Sequence, residues 1–235
     1  MRRILGIFMF VTAVAVAPVG AALAHGGGSM PSGGSGMVTA TPRSGSDAAK
    51  SAYNAGVRNI KKAQEYDAEA AKASTPEKAA KAHDKAQKAY HDSIGSFIDA
   101  VGADPKMYEA WNYLGFANRH MGNYADALSS YAKALEINPN FPNAIEYRGE
   151  AYLGLNQIEE AKGAYMALFR DSRPLADELM AAMHRWAEAR KQDAQGLSSA
   201  DVEAFTKWMD ERAGIAAQTA SLATGAVQPW RQGLR

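Results

Sequence analysis

The sequence predicts an all-α fold, a stack of antiparallel helix pairs over residues 47–213. Three observations predict it. Every long segment in that range places apolar residues at three-to-four spacing, and no stretch alternates with period two. One constant shift along the chain lays like on like, with Trp111 on Ile145, Gly115 on Gly149, Ala127 on Ala161 and Tyr131 on Tyr165. The 235 residues are 47% hydrophobic and include no cysteine, so one continuous core can be buried without cross-links. A formal net charge of +1 gives no broad positive field, and no nucleic-acid partner is expected.

Residues 1–24 read as a signal peptide. Arg2 and Arg3 precede an apolar run from Ile4 to Ala17, Pro18 and Gly20 break it, and Ala22-Leu23-Ala24 forms an A-x-A cleavage site. The run before Pro18 is shorter than the roughly 20 residues a membrane span requires. Cleavage near Ala24/His25 therefore predicts a periplasmic or secreted protein with no stable membrane insertion. It also takes 26 basic residues to 24 against 25 acids, a net charge of −1. His25 at the new N-terminus has the amine and ring nitrogen to chelate copper, but only the weak donors Met30 and Met37 follow, and no metal site is expected. Residues 25–46 are a disordered Gly/Ser-rich linker, too poor in apolar groups to offset the entropy of ordering.

The helices follow in order. Asp47 to Ala73 is rich in Ala, Lys, Glu and Gln, all strong helix formers. Ser74-Thr75-Pro76-Glu77 restarts a helix, with Ser74 or Thr75 as cap, Pro76 where its missing N–H costs nothing and Glu77 closing a capping box. The next helix carries Ala79, His83, Ala86, Tyr90, Ile94, Phe97 and Val101 as its buried stripe. His83 lies on that stripe as a packed-edge histidine, since no H-x-x-x-H pattern accompanies it. Beyond Pro174, Leu179, Ala182, Met183 and Trp186 form one face, and Val202, Phe205 and Trp208 or Met209 form the last. Residues 214–235 lose periodicity and read as a flexible C-terminal tail.

Between these segments, Trp111, Leu114, Gly115, Ala127, Tyr131, Ala134 and Pro139 meet the pattern W-x2-L-G-x2-Y-x8-A-x3-F-x2-A-x4-P, with Asn118 replacing its Tyr. The chain resembles the tetratricopeptide repeat family, with its best repeats at 108–141 and 142–175. Gly115 and Ala127 mark the helix crossing, Trp111, Leu114 and Tyr131 fill the space beside it, and Pro139 ends the unit. The second repeat departs from the pattern at Arg148, which must reach solvent along its stem or pair with an acid. The unit before residue 107 matches only in its second helix. The resemblance implies a right-handed superhelical stack whose concave face binds proteins or peptides. Asn112, Phe116, Arg119 and His120 from one unit, with Asn143, Glu146 and Glu150 from the next, would line that groove. Cytosolic members grip a partner's terminal carboxylate with Lys and Asn here, but Asn112, Phe116 and Tyr147 stand at those places without a lysine, so the clamp does not carry over.

Catalytic signatures are missing: there is no G-x-S-x-G, no phosphate-binding Gly loop and no cysteine nucleophile. The expected function is a non-catalytic periplasmic scaffold or adaptor, without cofactor, that holds another protein or peptide. The alternative is a periplasmic carrier or sensor of a small ligand or metal. Phe116 as an aromatic floor and Glu146 with Glu150 as an acidic wall would suit an apolar side chain beside Lys or Arg. The lysine row Lys78, Lys81, Lys85 and Lys88 reads as a solvated helix face, and a surface for anionic headgroups or polysaccharide is its second reading.

Overall fold

The computed structural model describes residues 46–223, with side chains from 46 to 219, so the signal peptide, the linker up to residue 45 and Trp230 lie outside the described residues. Eight helices and no strand occur among them: α1 (Asp47–Ala71), α2 (Pro76–Ala103), α3 (Tyr108–His120), α4 (Tyr124–Ile137), α5 (Pro142–Gly154), α6 (Ile158–Asp171), α7 (Arg173–Gln192) and α8 (Ser199–Ala223). They pack as consecutive pairs, and the first helices α3, α5 and α7 lie against one another in turn. No described helix is long and apolar enough to cross a membrane.

Local chemistry explains the boundaries. Ser46 caps α1 by accepting the Ala49 N–H at 3.2 Å, and Thr75 caps α2 by accepting that of Lys78 at 3.4 Å. Glu77 is not the closing member of a capping box, because it stands one residue too early. Its own backbone N–H and the Thr75 hydroxyl hold its carboxyl below the usual range instead. Ser198 and Asp201 do form a reciprocal cap before α8: the Ser198 N–H reaches Asp201 Oδ2 at 3.2 Å, and the Asp201 N–H reaches Ser198 Oγ at 3.1 Å. Gly122 (φ 77°) and Asn156 (φ 58°) occupy the same position in successive repeats, at the turn between the two helices, where the chain needs a left-handed residue.

Each crossing of the first two pairs uses a glycine as a seat for an aromatic ring. A Cβ on Gly115 would stand 2.6 Å from Tyr131 Cε1, and one on Gly56 would stand 2.6 Å from Phe97 Cε1. Tyr131, Phe97 and Ala127 are all 0% exposed. Phe97 lies one repeat length before Tyr131, so α1 and α2 form the first unit of the stack with both helices lengthened. At Gly149 the occupant is Leu179 of the following unit, whose Cδ2 would stand 2.7 Å from an added Cβ, rather than a ring of its own. Ala127→Leu forces methylenes into a filled crossing and is expected to cost about 1–3 kcal/mol, read as a lower urea midpoint at unchanged slope.

Three further readings change in the structure. The buried row of α2 begins at Ala82 rather than Ala79, leaving His83 half-buried at its edge. Arg148 lies over the Tyr152 ring at 6.0 Å, stacking its guanidinium where the family carries Leu. The helical region continues past 213, since α8 runs through Gly214 to Ala223. Alanine-rich sequence holds that extension by propensity, and between residues 214 and 219 only Ala216 is partly covered, which is why no apolar period marks it.

Candidate functional site

The first-helix stripes of α3 and α5 meet side by side. On α3 the stripe is Glu109, Asn112, Phe116 and Arg119 with His120; on α5 it is Asn143, Glu146 and Glu150, each one repeat beyond its α3 counterpart Glu109, Asn112 or Phe116. Arg119 forms an ion pair with Glu150 across the two helices, and Arg185 of α7 reaches the other Glu150 oxygen at 3.9 Å. The Arg119 guanidinium also lies 5.3 Å from the Phe116 ring and 5.4 Å from that of Tyr147. Such cation–ring contacts strengthen out of water. The Tyr131 hydroxyl adds a further interaction on Arg119, which joins the site to the helix crossing of the α3/α4 repeat.

The structure brings together Phe116, Arg119, His120, Glu146 and Glu150, but not as an open groove. Phe116 is 5% exposed and is enclosed by Tyr147 at 5.2 Å, His120 at 4.4 Å and Tyr90 at 6.4 Å. It is a packed ring and not an exposed floor, because Tyr90 of α2, Tyr147 of α5 and His120 surround it. His120 stacks on Tyr90 at 4.5 Å and 17°. Asn112 and Glu146 are buried, while Asn143 is half-buried at the start of α5, about two helical turns before Glu150 and outside the ionic cluster. Glu150 is committed to its arginines, so the expected acidic wall is reduced to Glu146. Reversing both glutamates to lysine would also unfold the stack locally, because Glu150→Lys sets a cation against Arg119 in a buried place.

The sequence alone does not identify Glu146 as a titrating group. Burial first, then the neighbouring Glu150, pushes its carboxyl up to about 9, opposed by Arg119 and Arg185 and reinforced by Glu178. Its Oε2 has no hydrogen-bond partner among the described residues, and neither does Asn112 Oδ1 or Glu109 Oε2. The sequence signal was the i, i+4 acid pair Glu146/Glu150, whose meaning depended on the depth of one member. His120 moves the other way: burial and then Arg119 hold its imidazole well below 6.5, so it is neutral.

These two groups set the pH dependence of stability. A carboxyl raised from 4.5 to about 9 on folding contributes stability that is fully present below 4.5 and lost as pH rises through 9. A histidine held below 6.5 contributes stability present above 6.5 and lost as pH falls. Their slopes oppose each other just below pH 6.5 and leave Glu146 alone above it. Urea stability is expected to vary little from pH 5.5 to 6.5, then to fall by up to about 1.4 kcal/mol per pH unit toward pH 9. Glu146→Gln is expected to remove the alkaline fall, and an unchanged slope in that variant would assign it elsewhere.

The lysine row behaves as a solvated face. Lys85 and Lys88 line a shallow cleft with Asn59, Lys62, Tyr66 and Asp92. Lys88 pairs with Asp92 at 3.3 Å and Lys85 stands 4.0 Å from Glu69, so local acids offset the charge. No group of three or more His, Cys, Asp or Glu able to hold a metal occurs among the described residues.

Stacked helix pairs carrying an interior row of polar side chains on their first helices define a helical-repeat protein. Tetratricopeptide repeat profiles match residues 108–141 and 130–163, so this part of the chain carries tetratricopeptide repeats. The first match coincides with the α3/α4 unit; the second spans the latter part of α4, all of α5 and the start of α6. Similar relatives include an Hsp70-Hsp90 organizing protein of Triticum aestivum, 28% identical over 76 residues that make up 32% of this chain and 13% of that protein. An Hsp70-Hsp90 organising protein of Plasmodium falciparum is 29% identical over 77 residues, 33% of this chain and 31% of its own length. The similarity thus spans less than a third of either relative.

Proposed function

We propose that this protein is a non-catalytic adaptor of the bacterial cell envelope, exported by residues 1–24 and holding another protein or peptide against the face formed by α3, α5 and α7. Tetratricopeptide repeats act in protein–protein interaction, and the names of the two relatives describe proteins that organise Hsp70 and Hsp90. The observation that carries the reading is the Arg119–Glu150–Arg185 row, which runs across three successive first helices. That row ends at the half-exposed Arg185, which can orient a partner segment, since charge complementarity fixes register and excludes wrong partners. Export is supported by Arg2 and Arg3, the apolar run to Ala17 and Ala22-Leu23-Ala24.

A tagged full-length chain expressed in its own host tests both parts. The mature protein is expected to begin at His25 in the periplasmic fraction, and cross-linking there is expected to recover one stoichiometric protein partner. An unprocessed N-terminus would remove the export reading. A mature protein that cross-links to no protein would remove the adaptor reading.

A further inference from the structure

The buried carboxyl of α5 has a charge environment that is incomplete in the free protein. Three carboxyls act there, Glu146, Glu150 and the solvent-exposed Glu178, against two guanidinium groups, Arg119 and Arg185. Three against two leaves one negative charge in excess. Glu146 is 3% exposed, and its Oε2 finds no donor among the described residues. Asn112, its counterpart on the adjoining stripe of α3, is 2% exposed and its Oδ1 is also without a donor. A buried acceptor left without a donor forfeits its hydration and gains nothing in return. The Glu146 carboxyl, in a cluster with one negative charge in excess, calls for a donor carrying one positive charge.

We propose that Glu146 is the seat for a single cationic side chain of the bound partner, a Lys ammonium or an Arg guanidinium. The inference rests on the adaptor reading and adds the chemistry of the segment that is held. In the free protein Glu146 keeps a proton, which balances the cluster at two negative against two positive. When the cation arrives, the Glu146 O–H bond breaks, the proton leaves to solvent and the carboxylate accepts hydrogen bonds from the incoming N–H groups. The sum is then three negative against three positive, so charge balances before and after. Arg185 is half exposed and only 3.9 Å from Glu150, which makes it the looser of the two resident cations and the one that can move aside for entry. Arg119 and Glu150 stay paired beneath. Groups facing Glu146 from its neighbours are Arg119 on α3, Glu178 and Arg185 on α7, and Glu150 on its own helix; Tyr147 is neutral.

The full-length chain is titrated with n-butylguanidinium and n-butylammonium at pH 6, 7 and 8, following the carboxyl carbon of Glu146 by NMR and proton release by calorimetry in two buffers of different ionisation enthalpy. At least one probe is expected to bind with release of one proton, with affinity rising by up to about tenfold per pH unit and the Glu146 carbon moving to its carboxylate position. Glu146→Gln, a neutral isostere of the protonated acid, is expected to keep the fold, weaken the probe by about tenfold or more at pH 8 and abolish the pH dependence. Binding of neither probe, binding without proton release, or a Gln variant that binds as the wild type does would each overturn the seat. Its failure is distinguishable from that of the adaptor reading: a partner cross-linked equally by wild type and Glu146→Gln keeps the adaptor and removes the seat, whereas probe binding without any protein partner keeps the seat and removes the adaptor.

Discussion

Tyr131→Ala is expected to lower the free energy of unfolding by about 3–5 kcal/mol, a large fraction of the ~5–15 kcal/mol typical of whole domains. The ring is wholly buried and sits on Gly115, whose missing side chain makes room for it. Its truncation leaves a cavity that the α3/α4 pair cannot close without moving Ala127, itself 0% exposed. The loss extends beyond packing, because the Tyr131 ring lies 6.3 Å from that of Tyr147 and its hydroxyl acts on Arg119. Tyr131→Phe separates the two contributions by removing the hydroxyl alone. Urea melts of both variants provide the check. A loss below about 1 kcal/mol for the alanine variant would show that the α3/α4 pair is not held at this crossing.

Arg119→Ala is expected to cost about 3 kcal/mol, at the lower end of what removing one partner from a buried pair costs, because Arg119 and Glu150 keep 15% and 18% exposure. Glu150 would keep Arg185, but that cation is half exposed and 3.9 Å away, so it is screened and recovers only part of the loss. Glu146 would lose the cation that opposes its protonation and become still harder to ionise. The Phe116 and Tyr147 rings would lose the guanidinium between them. Arg119→Met with Glu150→Leu removes both charges while keeping volume, and that double variant is expected to recover most of the stability. A double variant no better than Arg119→Ala would locate the loss in ring packing rather than in the stranded carboxylate.

What could be read without coordinates was whatever depends on spacing along the chain. Trp111, Gly115, Ala127 and Tyr131 identify a helix pair because a crossing demands a small residue and a ring at fixed offsets. Trp111 also shows where local reading ends: its indole N–H donates to the Pro105 carbonyl at 2.9 Å and ties down the preceding turn, which no offset announces. Gly56 performs the same task for Phe97, yet the lengthening of α1 and α2 moves it out of the repeat period and hides it.

The sequence by itself thus determined the fold class, the two central repeats and the stripe on which the site residues lie, because helical periodicity and close approach act between near neighbours. Only the tertiary structure decided what those residues do. Phe116 became core because Tyr90 of an earlier unit covers it, and Glu150 became a paired acid because Arg119 and Arg185 arrive from α3 and α7. Glu146, identical to Glu150 in sequence and one helical turn away, became a neutral carboxyl. Burial and the net field of four ionisable groups from three helices set its charge, and neither quantity exists until the helices are stacked.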